Sequence, residues 1–122
     1  MKYAVLDTSF ILSCIRKKID FFEKIPLMGM RIIIPLQVLD EIKKFSRQGR
    51  GSLKKDAKLA LMILENQDFK RVDLYNRVVD EGIIKLANEN ENYIIATLDR
   101  EIKSRTKNPS LVIRGDKELE VI

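Results

Sequence analysis

The sequence contains no histidine, no tryptophan and a single cysteine. Without histidine, imidazole bases, Ser-His triads and His-ligated zinc are all excluded. The lone Cys14 rules out a structural zinc site and any internal disulfide, so nothing points to secretion. Inside an apolar helical pattern, its expected role is core packing. No apolar run approaches the roughly 18 residues of a membrane span, and no signal-peptide pattern is visible. The expectation is a cytoplasmic protein with no membrane partner. Aromatic residues are sparse, at 7%, and few sit in exposed-looking positions, which leaves sequence recognition by base stacking unsupported. Gly49-Arg50-Gly51 is not a phosphate loop, because no Gly-Lys-Ser/Thr follows at the required spacing. Hydrolytic chemistry in such a chain would rest on carboxylates and hard metal ions.

What is present is a chain of 122 residues, 45% hydrophobic and 34% charged, the balance of one globular domain over residues 1–122. Lys and Arg total 23 against 18 acids, a net charge of +5 that suits a polyanionic partner. Short apolar runs at Tyr3–Leu6, Arg31–Pro35, Tyr93–Leu98 and Leu111–Arg114 read as buried strands. Phe69–Leu74 is a weaker strand pattern, and a short strand is expected near Leu119–Ile122. Helical spacing covers Ser9–Lys17, a short segment before Met28, Leu36–Phe45, Ser52–Asn66, Arg77–Asn90 and a turn opened by Asp99. Strands alternating with helices predict an α/β fold with a mainly parallel sheet and helices on both faces.

That topology gives four acids special places. Asp7 ends the first strand and Asp99 follows the strand Tyr93–Leu98. Glu41 lies six residues beyond Pro35, roughly 9 Å along a helix axis. Asp80 opens the helix before Tyr93, and about 15 Å of helix followed by about 17 Å of strand returns it to the level of Asp99. Taken singly, Asp7 and Asp99 read as N-caps, and Glu41 and Asp80 as first-turn acids favoured by the helix dipole. Gathered at one sheet edge, four carboxylates repel and raise one another's pKa unless cations join them. Oxygen ligands of this kind suit Mg²⁺ or Mn²⁺, and such ions beside basic residues suggest phosphodiester hydrolysis.

Four segments in register resemble the motifs of PIN-domain nucleases: Leu6-Asp7-Thr8-Ser9-Phe10, Val38-Leu39-Asp40-Glu41-Ile42, Asp80-Glu81-Gly82-Ile83 and Ala96-Thr97-Leu98-Asp99-Arg100. The last segment, continued through Arg105, is most similar to the small PIN relatives of the small-subunit-processome nuclease. The resemblance implies a three-layer α/β/α Rossmann-like fold and a Mg²⁺- or Mn²⁺-dependent endoribonuclease acting on single-stranded RNA, with ribosomal RNA as the substrate in that branch. It assigns the catalytic and metal-binding positions to Asp7, Glu41, Asp80 and Asp99, with Thr8 and Thr97 beside them. Glu81 stands where the family more often has Asp, and is kept as a substitute for Asp80. A homodimer is a further expectation from the resemblance.

Two basic groups could hold a phosphate backbone near those acids: Lys43, Arg47, Arg50, Lys54 and Lys55 around the Gly49–Gly51 loop, and Arg100 and Lys103 after Asp99. A solvated helix face is the equal alternative. Two other functions share the fold: a toxin-type PIN ribonuclease paired with an antitoxin, and a weakly catalytic RNA-binding or assembly protein. A phospho-receiver domain is disfavoured, since Leu6-Asp7-Thr8 offers one acid where that site needs a pair.

Overall fold

The computed structural model describes residues 1–122. Its strands are β1 (Lys2–Leu6), β2 (Met30–Pro35), β3 (Lys70–Val72), β4 (Tyr93–Ala96), β5 (Ser110–Arg114) and β6 (Glu118–Val121). They form one six-stranded sheet in the order β3-β2-β1-β4-β5-β6, parallel except for β6. The helices are α1 (Thr8–Lys17), α2 (Phe21–Leu27), α3 (Leu36–Gln48), α4 (Gly51–Glu65), α5 (Val79–Asn88) and α6 (Arg100–Ser104). The α1, α3 and α4 helices pack together, while α5 packs with α6 and β4. Right-handed crossovers put these two groups on opposite faces, because the strand order reverses direction between β3 and β4.

The central strands are buried because both of their faces are covered. Ala4, Val5, Leu6, Ile33, Ile34, Ile95 and Ala96 are all inaccessible or nearly so. Cys14 belongs to the same core, and burial pushes its thiol up to about 12, leaving it inert at neutral pH. No helix is long and apolar enough to cross a membrane. The predicted elements are present, with differences at their ends. The strand expected to run to Leu98 stops at Ala96, and Leu98 is exposed. Ser52 does not cap α4, which begins at Gly51 after Arg50; its hydroxyl accepts from Arg16 instead.

Gly82 has a tertiary reason that helical spacing does not reveal. A Cβ built there would lie 2.8 Å from Leu74 Cβ and 3.3 Å from Asn76 Cβ, so the missing side chain lets the β3–α5 loop close onto α5. Helix propensity alone favours alanine by about 1 kcal/mol. Overpacking outweighs it here, and Gly82→Ala is expected to destabilise the fold by about 1–3 kcal/mol in denaturant titration. An unchanged or higher midpoint would show that Leu74 gives way freely.

Candidate functional site

The β1–β4 ladder continues one step past β1: Asp7 N–H donates to Ala96 C=O at 2.9 Å. That register sets Asp7 beside Thr97 where the two strands end, in the interior of the sheet's carboxyl edge. Open α/β sheets bind ligands at this position, next to the point where strand order reverses. Asp7 is both cap and buried carboxylate. Its Oδ1 accepts from Thr8 N–H at 2.8 Å, and its Oδ2 accepts from the Thr97 hydroxyl at 2.7 Å. Ser9 Oγ approaches the same oxygen at 3.4 Å.

Thr97, with 0% exposure, is the hub of the strand ends. While donating to Asp7, its Oγ1 accepts from Asp99 N–H at 3.1 Å. Ser9 Oγ accepts from Leu98 N–H at 3.1 Å. Two hydroxyls therefore tie the β4–α6 turn to the start of α1, fixing Asp99 relative to Asp7. This explains why β4 ends early: backbone groups after Ala96 bond to side chains rather than to a neighbouring strand. Asp99 then caps α6 through Glu101 N–H at 2.9 Å. The structuring role of Ser9 is absent from the sequence reading, which sees it only as a helix-capping type. Its place two residues after a strand-end acid was the available signal.

Electrostatics join the four acids. Burial raises the Asp7 pKa against the pull of its three hydrogen-bond donors, and the Glu41 charge raises it further. Asp80 is also raised, first by partial desolvation, then by the charges of Asp7 and Asp99, by hydrogen bonding with Asp99 and by Glu101. Asp7 thus senses Glu41 from one side, and Asp80 senses both Asp7 and Asp99 from the other. No three of these acids converge closely enough to enclose an ion in this arrangement. All five ion pairs of the fold lie elsewhere, at Arg16–Asp56, Lys17–Asp116, Arg105–Glu81, Arg105–Glu101 and Arg114–Glu120. In a chain with 23 basic residues, the four site acids have no Lys or Arg partner.

The structure separates Glu81 from its neighbour. Arg105 clamps it bidentately at 2.6 and 3.0 Å, which holds the Glu81 carboxyl below its usual range. Glu81 is therefore not a free substitute for Asp80; a carboxylate engaged by a guanidinium fork is satisfied where it stands. Thr8 contributes its backbone to Asp7, and its own hydroxyl is buried without a partner.

The basic residues also divide. Lys44 and Arg77 share a shallow depression of about 320 Å³ with Gln37, Asp40, Glu41 and Val79. No sequence motif marks Arg77, which the fold alone brings beside Glu41. Lys43 and Arg47 face a different groove, with Leu61, Leu64, Phe69 and Arg71. Arg50, Lys54 and Lys55 belong to the start of α4, which Arg16 holds through Ser52 and Asp56. Arg16 is about 13 Å along α1 from Asp7, so these three are displaced from the acids rather than gathered around them. Their closeness in sequence to Glu41 misleads, because α3 carries the chain away before α4 begins. Arg100 and Lys103 lie on α6 directly after Asp99, with Arg100 exposed and Lys103 half-buried.

Comparisons with known proteins agree with this fold. The chain is 33% identical over 125 residues to Ribonuclease VapC4 of Methanocaldococcus jannaschii, across 96% of this chain and 94% of that protein. It is 26% identical over 110 residues to the rRNA-processing protein fcf1 of Schizosaccharomyces pombe, covering 86% of this chain but 53% of the yeast protein, about half its length. The solved structure of the PIN domain endonuclease Utp24 has a TM-score of 0.77 at 25% identity, covering 98% of this chain and 90% of that one. A Methanocaldococcus jannaschii domain of unknown function shares the fold, with a TM-score of 0.65 at 21% identity over 100% of this chain and 99% of its own. The family model of the PIN-like domain matches residues 4–114, from β1 through β5, and the chain belongs to that family.

Proposed function

We propose that this protein is a divalent-metal-dependent endoribonuclease that hydrolyses phosphodiester bonds of single-stranded RNA. The observation that carries the reading is four carboxylates without a basic partner at the carboxyl edge of a parallel sheet, with burial and the Glu41 charge raising Asp7, and partial burial and the charges of Asp7 and Asp99 raising Asp80. The donor set fits Mg²⁺ or Mn²⁺: all oxygen, negatively charged and partly open to solvent. Asp7, Glu41, Asp80 and Asp99 would supply its carboxylate ligands once the ion draws them together, since no three of them enclose it as they stand. When bound, such an ion activates water and stabilises the leaving oxygen. Buried Asp7 supplies a rigidly oriented carboxylate, and Thr97 and Ser9 hold it in place. Lys44 and Arg77 flank Glu41 and can position phosphates, and Arg100 and Lys103 can do the same beside Asp99. Incubation of the full chain with single-stranded RNA and Mn²⁺ should give internal cleavage that chelator abolishes. Cleavage that survives both chelator and Asp99→Asn would overturn the reading.

The relatives support two readings of its biological use. The rRNA-processing protein fcf1 and the PIN endonuclease Utp24 support a role in ribosomal RNA maturation. The second reading is a toxin-type ribonuclease restrained by an antitoxin, favoured by the nearly end-to-end match to Ribonuclease VapC4. Growth arrest on expression, reversed by Asp7→Asn, would favour the second; altered precursor rRNA after depletion would favour the first.

Thr97 supplies a further expectation within this function. Thr97→Val keeps the side-chain shape but removes the hydroxyl that serves Asp7 and Asp99. We expect cleavage to fall about 10- to 100-fold, the scale found for residues that orient metal ligands. Thr97→Ser should recover most of it. Equal activity of all three proteins would remove Thr97 from the site.

A further inference from the structure

Tyr75 lies in the loop between β3 and α5 with φ +51°, and is 90% exposed. Left-handed backbone is unfavourable for a residue with a Cβ, and glycine or asparagine would adopt it at less cost. An exposed ring gains little from packing to offset that strain. Strain held at a solvent-facing aromatic points to a use outside the fold.

The loop is nonetheless firmly held. Asp73 Oδ1 accepts from Gln37 Nε2 at 2.7 Å and from Tyr75 N–H at 2.8 Å. Leu74 N–H donates to Gln37 Oε1 at 3.0 Å, and the Leu74 side chain is buried against Gly82. Asn76 Oδ1 then accepts from Val78 N–H at 2.9 Å. Gln37 belongs to α3, which carries Glu41, and Gly82 belongs to α5, which carries Asp80. Tyr75 is thereby fixed between the two helices that bring those acids to the site. Arg77, two residues on, lines the depression beside Glu41 with Lys44. An exposed ring on a held backbone, two residues before Arg77, matches a nucleotide, with its base on the ring and its phosphates on Arg77 and Lys44.

We propose that Tyr75 is a stacking platform for one nucleobase of the bound RNA strand, pre-set beside the acid site by its left-handed backbone. This rests on the ribonuclease reading above. Because every base has a π-face, the stack adds affinity and register without choosing a sequence.

The test uses the full chain in chelator, with short oligouridylate as probe and an abasic phosphodiester strand of equal length as control. Tyr75→Ala should weaken oligouridylate binding about 5- to 100-fold, the range of one lost base–aromatic stack. Tyr75→Phe should bind within about twofold of wild type, and binding of the abasic strand should be unaffected by either change. The sequence has no tryptophan, so Tyr75→Trp introduces a single indole whose fluorescence oligouridylate should quench and the abasic strand should not. If wild type and Tyr75→Ala bind oligouridylate equally, the stacking role is wrong while the ribonuclease reading stands. If wild type neither binds nor cleaves RNA, both fall together. Thermal melting guards against misfolding: Tyr75→Gly should melt no lower than wild type, and a marked drop would make the residue structural and overturn the proposal.

Discussion

Asp7→Asn is expected to lose RNA cleavage by about a thousandfold and, in the absence of metal, to melt higher than wild type. The loss corresponds to several kcal/mol of transition-state stabilisation, the amount a metal centre contributes. The gain in stability follows from burial. Asp7 is 5% exposed, its pKa is raised above the ordinary 3.8, and Glu41 adds repulsion. A carboxyl with a raised folded pKa binds its proton more tightly folded than unfolded. Its contribution to stability therefore declines as pH rises from the ordinary value through the folded one, and stays low above. At neutral pH the neutral amide avoids that penalty. It keeps the bond from Thr8 N–H through its oxygen and can donate its NH₂ to Thr97 Oγ1. A gain of about 1 kcal/mol, or about 4 °C, is expected at pH 7, shrinking toward zero below the ordinary carboxyl range. Melting curves at several pH values check this. If the variant melts lower at neutral pH, the Asp7 network is a net stabiliser and the case for a charge held in readiness for an ion is lost.

The contrast between Asp7 and Glu81 shows what the sequence could and could not reveal. Asp7 was legible because a strand end is a local event: a β-branched or apolar run followed by capping residues marks the sheet's edge. The same logic located Asp99 after β4, and helix length located Asp80 and Glu41. Glu81 looked equivalent to Asp80 from its adjacency alone. Its partner Arg105 is far along the chain, and only α5 packing on α6 brings them together. Arg50, Lys54 and Lys55 misled for the converse reason, since nearness in sequence to Glu41 does not survive the α3–α4 turn. Gly82 reads as a weak point in a helix until Leu74 is seen pressed against it. Tyr75 carries no local sign of positive φ, because its residue type argues against it. The features the sequence hides depend on contacts between distant segments, while the positions it reveals, at strand ends and along helices, depend on periodicity.

A divalent ion should reverse the stability order that Asp7→Asn creates. On the proposed function, Mn²⁺ would bind the carboxylates of the folded protein far better than the same acids dispersed along an unfolded chain. At a hundred times its dissociation constant, the ion would stabilise wild type by about 2.7 kcal/mol, or about 10 °C for a domain of this size. Chelator should return the melting temperature to its starting value. In Asp7→Asn and in Glu41→Gln the shift should largely disappear, so wild type, the less stable protein in chelator, becomes the more stable one in Mn²⁺. Protons compete for the same oxygens. Asp7 and Asp80 hold theirs at higher pH than ordinary carboxyls, so the Mn²⁺ shift should fade on acidification before surface carboxylates titrate. Equal shifts in wild type and both variants would mean that the ion binds elsewhere, and no shift at saturating Mn²⁺ would leave the four acids without the cation their arrangement calls for. The crossing of the two melting curves is the signature to seek, because a structural role for Asp7 alone produces no such crossing.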